Sequence, residues 1–240
     1  MTGILSAIRF FTILRVPSGD FHPRRLAACA PVAGLLIGLL LACVDALALR
    51  FWSVTLASAL DVVLLAVISG ALHLDGLADT ADGLYAGRTR EKALAVMKDS
   101  RTGAMGVVAV ACCLLVKWAG IHEIDSHRFW LLLLIPAYSR ATILFGMRFL
   151  PYGRSGEGTA RAFFDEPLSA WDFRWVAILV LLSLFAGRAL VVLNLGFVVA
   201  TALVLWFYKK RMGCITGDMI GAMIETVEVV LMMGVTAGAN

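Results

Sequence analysis

The sequence predicts an all-α fold, a polytopic bundle of about seven transmembrane helices with a cytoplasmic N-terminus. Three observations predict it. Of 240 residues, 60% are hydrophobic and 16% charged, against roughly 45–50% and about 25% in an ordinary soluble domain. The mean hydropathy is +0.87. The apolar residues recur in blocks of about 20, the length a helix needs to cross a bilayer. Residues 1–240 are read as a single integral membrane catalytic domain. The net charge of +4 reflects inside loops and gives no reason to expect a nucleic-acid partner.

The opening segment MTGILSAIRFFTILRVP is broken by Arg9 and Arg15 and lacks a small-residue cleavage pattern, so no cleavable signal is expected. Apolar blocks follow at 26–49, 62–84, 103–121, 129–149, 175–207 and 219–235. The fifth is too long for one ordinary span and short for two. A turn at Gly187–Arg188 or at 194–196 splits it and gives seven spans. Charge bias supports the split, because a six-span path would throw Lys209, Lys210 and Arg211 outside. Lys117 then lies near the outer end of its span, where it can snorkel. The polar loops all fall on the cytoplasmic face. A transporter would instead keep its site near the midplane and open to both sides.

Asp75, Asp79 and Asp82 are spaced i, i+4, i+7, which places them on one stripe of a helix for which Asp61 is the expected N-cap. Three carboxylates on one stripe repel each other and are expensive at membrane depth, so cations are expected to hold them together. Hard divalent ions such as Mg²⁺ suit oxygen ligands of this kind. In the last span Asp218 and Glu225 share a face, with Glu228 off that stripe. The small pair Gly217 and Gly221 invites close approach by another helix, expected to be the one carrying Asp75. Two acidic helices face to face would make a site for two ions, suited to displacement at phosphorus.

Arg140 lies inside the fourth block and must either pair with an acid or bind an anion; both readings stand. The loop LPYGRSGEGTARAFFDE offers glycines, Arg154 and Arg161 to a phosphate, and KDSRTGAMG offers Lys98, Asp99 and Arg101 before a helix start. Between the acidic stripe and that loop, TREKALAVMK reads as a short surface helix capped by Thr89. His73 falls off the aspartate stripe and reads as a packed or supporting residue, a base role being the lesser option. His22, His122 and His127 read as loop residues. The five cysteines, odd in number and without zinc-site spacing, read as packed reduced thiols. Together these residues describe a phosphotransferase working beside the bilayer through positioning and charge neutralisation.

The strings HLDGLADTADGL, KDSRTGAMGV, PYGRSGEGTA and ITGDMIGAMIE, with FFTILRVP and PVAGLLIG before them, resemble the successive motifs of the cobalamin (5′-phosphate) synthase family. That family is also called adenosylcobinamide-GDP ribazoletransferase. The resemblance covers nearly the whole chain in order; Gly153 and Cys214 depart from the usual alanine and glycine. It implies a Mg²⁺-dependent transferase of late cobalamin biosynthesis in the bacterial inner membrane. A ribose hydroxyl of α-ribazole or its 5′-phosphate attacks the cobinamide-attached phosphate of adenosylcobinamide-GDP, and GMP leaves. Carried onto this chain, it implies Asp75, Asp79, Asp82, Asp218 and Glu225 as ligands of two Mg²⁺ ions. Asp99 becomes a base or further ligand, and Arg101, Arg140 and Arg154 hold phosphates, with Lys98 and Arg161 nearby. Contacts between copies, or with other enzymes of the pathway, stay open. So does the role of Gly34 and Gly38, which could pack helices within one subunit or between subunits.

Rival readings are a CDP-alcohol phosphotransferase, for which DGLADTADGL has the wrong spacing and no internal arginine, a prenyltransferase with a different acidic motif, and an ion-coupled transporter.

Overall fold

The computed structural model describes residues 2–17, 22–87, 89–154 and 160–237. Arg88 and residues 155–159, the glycine-rich stretch of the 151–160 loop, lie outside them. The described chain is built of helices: α1 (Thr2–Phe11), α2 (Pro23–Ala28), α3 (Ala30–Ala48), α4 (Val54–Ile68), α5 (Leu72–Ala86), α6 (Arg90–Val96), α7 (Ala104–His122), α8 (Arg128–Phe149), α9 (Arg174–Leu182), α10 (Ala189–Arg211) and α11 (Gly217–Thr236). Helix α6 is the expected surface helix, and its cap is Thr89, whose hydroxyl accepts from the N–H of Lys92 at 3.3 Å.

Five helices, α3, α7, α8, α10 and α11, are long and apolar enough to cross a membrane, and α4 with α5 makes a sixth if the bent pair counts as one span. By length and composition these helices account for up to six of the seven expected spans. The long fifth block does split at Gly187, whose φ of +59° glycine adopts without a Cβ penalty. On the N-terminal side of Gly187, α9 has nine residues and is flanked directly by two four-residue 3₁₀ turns, Ala170–Phe173 and Ser183–Ala186, so no single α-helix of spanning length forms there. Helix α10 alone has 23 residues, and its exposed Val191, Leu195, Val198, Leu203 and Trp206 form the surface that lipid covers.

The block at 62–84 is also not one straight helix. Gly70 and Ala71 both adopt positive φ, and α5 leaves α4 at 86°. Asp61 therefore caps nothing. It sits inside α4, buried, 3.5 Å from Arg128, which also forks onto Asp45 at 2.7 and 2.8 Å and reaches Ser58. The break gives the acidic stripe a helix of its own.

Helix α8 is the axis of the bundle and packs along α3. Pro136 interrupts its hydrogen-bond ladder, and the carbonyls around it are where α3 comes closest. A Cβ on Gly34 would lie 2.5 Å from the Pro136 oxygen, and one on Gly38 would lie 2.1 Å from that of Leu133. Both glycines thus serve packing within one subunit.

Candidate active site

The close approach expected of the small residues is made between α5 and α11. A Cβ on Gly76 would sit 2.7 Å from the Asp218 carbonyl, and one on Gly221 would sit 3.3 Å from the His73 backbone. Backbone contact of this kind brings the start of α11 beside the acidic stripe. Asp79 feels the charges of Asp75, Asp218, Asp82 and Arg154, so these residues form one electrostatic cluster. Asp75 is exposed, and Asp79 and Asp218 are part-exposed.

Arg154 is the cation of that cluster. It is placed by a short parallel pairing in which Gly153 N–H donates to the Ile215 carbonyl at 2.9 Å and Ile215 N–H donates to Pro151 at 3.0 Å. From there its guanidinium pairs with Asp218 and donates to the Met97 carbonyl at 3.0 Å. The two departures from the family pattern meet at this point, since a Cβ on Gly153 would lie 2.5 Å from Cys214 Sγ. A larger residue at one position is matched by a smaller one at the other.

Asp82 has a different job from the other two aspartates of its stripe. Its carboxylate accepts from the backbone N–H of Gly103 at 2.6 Å and of Gly106 at 2.9 Å, capping the start of α7 from outside the helix. Each oxygen thus accepts one backbone bond from the helix end, which ties Asp82 to α7. Asp99 and Arg101 bond chiefly to each other. Arg101 donates from its backbone N–H at 3.1 Å and from its guanidinium at 2.7–3.2 Å. These bonds hold the Asp99 carboxyl at about 2, below the usual carboxylate range, so it is a poor base near neutral pH. Lys98 is exposed, and Arg161 is half-exposed beside Asp165 at 3.7 Å.

Deeper in the bundle, Lys117 donates to Glu225 at 2.6 Å and to Glu228 at 2.7 Å, while Arg140 pairs with Glu228 and Ser139 donates to the same carboxylate at 2.8 Å. Two cations meet two anions, and Lys117, Arg140, Glu225 and Glu228 are all at most 3% exposed. Glu225 is therefore a partner of Lys117, not a site ligand, and Arg140 is a partner of Glu228, not a phosphate fork. Lys117 does not snorkel. An apolar interior makes an isolated charge so costly that the four residues find each other.

Among the described residues no three acids, histidines or cysteines stand close enough to hold a metal ion between them. The donor set still suits Mg²⁺, which is commonly held by one or two carboxylates, with substrate phosphates and waters completing its octahedron. Asp75, Asp79 and Asp218 supply such carboxylates. No metal-binding cage made by the protein alone is required.

The fold and site define a multi-pass helical membrane protein with an acidic and arginine-bearing site at the junction of two helices. The family model for cobalamin-5-phosphate synthase matches residues 3–236, and the chain belongs to that family. It is 34% identical to the adenosylcobinamide-GDP ribazoletransferase of Brevibacillus brevis over 97% of both chains. It is 36% identical to the Mesorhizobium japonicum enzyme of that name, over 93% of this chain and 88% of the relative. For the Chlorobaculum tepidum enzyme the identity is 35%, over 95% and 92%. No solved structure matches.

Sequence reasoning missed the pairing of Lys117 and the capping by Asp82. A signal existed for the first, because two cations, Lys117 and Arg140, and two anions, Glu225 and Glu228, inside apolar blocks must meet partners. For the second the only trace was Gly103 and Gly106 after the KDSR loop.

Proposed function

We propose that the chain is an adenosylcobinamide-GDP ribazoletransferase of cobalamin biosynthesis, using Mg²⁺ and working at the cytoplasmic face of the bacterial inner membrane. Membership of the family and the names of the relatives support the substrates. The observation that carries the chemistry is the meeting of Arg154 with Asp218 beside Asp75 and Asp79.

In this reading the ribose hydroxyl of ribazole or its 5′-phosphate forms a new P–O bond to the cobinamide-attached phosphorus. The P–O bond to GMP breaks, and the hydroxyl proton passes to solvent at this open face. Arg154 neutralises phosphate charge as it redistributes and aligns the chain for in-line attack. One or two of Asp75, Asp79 and Asp218, with the substrate's phosphates, would hold Mg²⁺, which when bound would withdraw charge from the leaving group. Asp82 acts as a positioning residue, fixing the loop that brings Asp99 and Arg101 near α5. The cytoplasmic placement is supported by Lys209, Lys210 and Arg211 at the end of α10, since Arg211 donates to the Gly87 carbonyl just past α5 at 2.6 Å.

The test is GMP release by purified protein in lipid from adenosylcobinamide-GDP, with and without ribazole phosphate, with Mg²⁺ and with a chelator. Release that needs both the acceptor and the metal is expected. Release indifferent to the chelator removes Mg²⁺ from the reading, and no release from folded protein removes the substrates.

A further inference from the structure

A cleft of about 400 Å³ lies between α1, α5 and α11. Phe10, Phe11 and Phe163 line it: the Phe10 ring stands edge-on to Phe11 at 5.0 Å and to Phe163 at 5.6 Å between centroids. Asp75 and Asp218 line the same cleft, as does the exposed Arg9. The cleft therefore joins an aromatic lining to the carboxylates of the site.

His73 is the group in this cleft that the rest of the fold leaves unexplained. It is 3% exposed, its ring centre is 5.7 Å from that of Phe11, and neither ring nitrogen has a hydrogen-bond partner. Buried polar groups are nearly always paired, because an unpaired one loses its hydration without return. A neutral imidazole carries one donor and one acceptor. Left unpaired against the Phe11 ring, in a cleft whose lining also includes Asp75 and Asp218, it suits a planar ligand with a polar ring atom and a hydroxyl-bearing arm. The volume is in the range of small-molecule pockets, roughly 300–1,000 Å³, enough for a nucleoside while a corrin stays outside.

We propose that this cleft seats the acceptor nucleoside. Its planar base lies among Phe10, Phe11 and Phe163 with a ring nitrogen bonded to His73, its ribose reaches Asp75 and Asp218, and Arg9 takes the 5′-phosphate when the acceptor carries one. The inference rests on the ribazole-transfer reading and names the subsite that reading leaves open.

The test uses wild type, His73→Leu, Arg9→Gln and Leu72→Trp in lipid nanodiscs. Leu72 lines the cleft and is 42% exposed, so the larger ring intrudes on the space without disturbing the interior. Equilibrium dialysis measures binding of ribazole and of ribazole 5′-phosphate without the corrinoid donor, and initial rates of GMP release give KM for each substrate. His73→Leu and Leu72→Trp are expected to weaken both acceptors about tenfold, with KM for the donor within about twofold. Arg9→Gln is expected to weaken the phosphorylated acceptor alone. Unchanged acceptor binding in these variants while wild type still releases GMP overturns the cleft assignment and leaves the transfer reading intact. Acceptor binding by wild type without GMP release, by contrast, sinks the transfer reading.

Discussion

Asp82 on α5 accepts a hydrogen bond from the backbone N–H of Gly103 at 2.6 Å, tying the acidic helix to the start of α7. Gly106 adds a second bond to the same carboxylate. The glycines permit it: a Cβ on Gly103 would lie 2.6 Å from one Asp82 oxygen and a Cβ on Gly106 2.5 Å from the other.

Asp82→Ala is therefore expected to lose about 1–2 kcal/mol of stability, the worth of a helix cap, and to lower kcat/KM strongly by loosening the loop before α7. Gly103→Ala and Gly106→Ala should reproduce both effects, because each pushes the carboxylate away. Thermal unfolding and GMP-release rates on the three variants check this. Full stability of the glycine variants with activity lost only in Asp82→Ala would mean that Asp82 acts on substrate directly.

Glu228→Gln leaves Lys117 and Arg140 with one anion between them. Breaking a buried pair costs about 3–5 kcal/mol. The double change Lys117→Met with Glu228→Gln restores neutrality and should cost less than the sum of the two single changes. A double-mutant cycle in detergent unfolding measures the coupling. Additive effects would show that the two charges do not interact.

Asp99 is held at about 2 by the Arg101 guanidinium and N–H. A carboxyl with a depressed value contributes its contact fully above the unfolded value of about 3.9 and loses it as pH falls further. Nothing in the pair titrates near neutrality. Asp99→Asn should thus change the height of the kcat/KM profile but leave its acid limb where it is in wild type. A moved limb would make Asp99 the titrating group.

Gly153 and Cys214 should behave as a matched pair. Gly153→Ala forces a methyl to 2.5 Å from Cys214 Sγ, and overpacking of this sort costs about 1–3 kcal/mol. It should also displace Arg154 from Asp218. Adding Cys214→Gly should restore both stability and GMP release. Failure of the second change to rescue the first would show that another contact limits this position.

The all-α membrane class was legible from the sequence because bilayer thickness imposes a length and a composition on each span, and both are local properties. The i, i+4, i+7 stripe and the approach of α5 at Gly221 were legible for the same reason: helix geometry fixes which residues share a face and where a neighbour can come close, whereas Gly217 of the expected pair faces Ala160. The tertiary structure decided which acids belong together. Asp218 and Glu225 share a face of α11, yet the first meets Arg154 at the site and the second meets Lys117 in the interior. Periodicity ranks residues around a helix axis but says nothing of what stands opposite at each depth. Where the surroundings exclude water, the nearest opposite charge claims the carboxylate. At the membrane face the carboxylates stay open to solvent and to substrate.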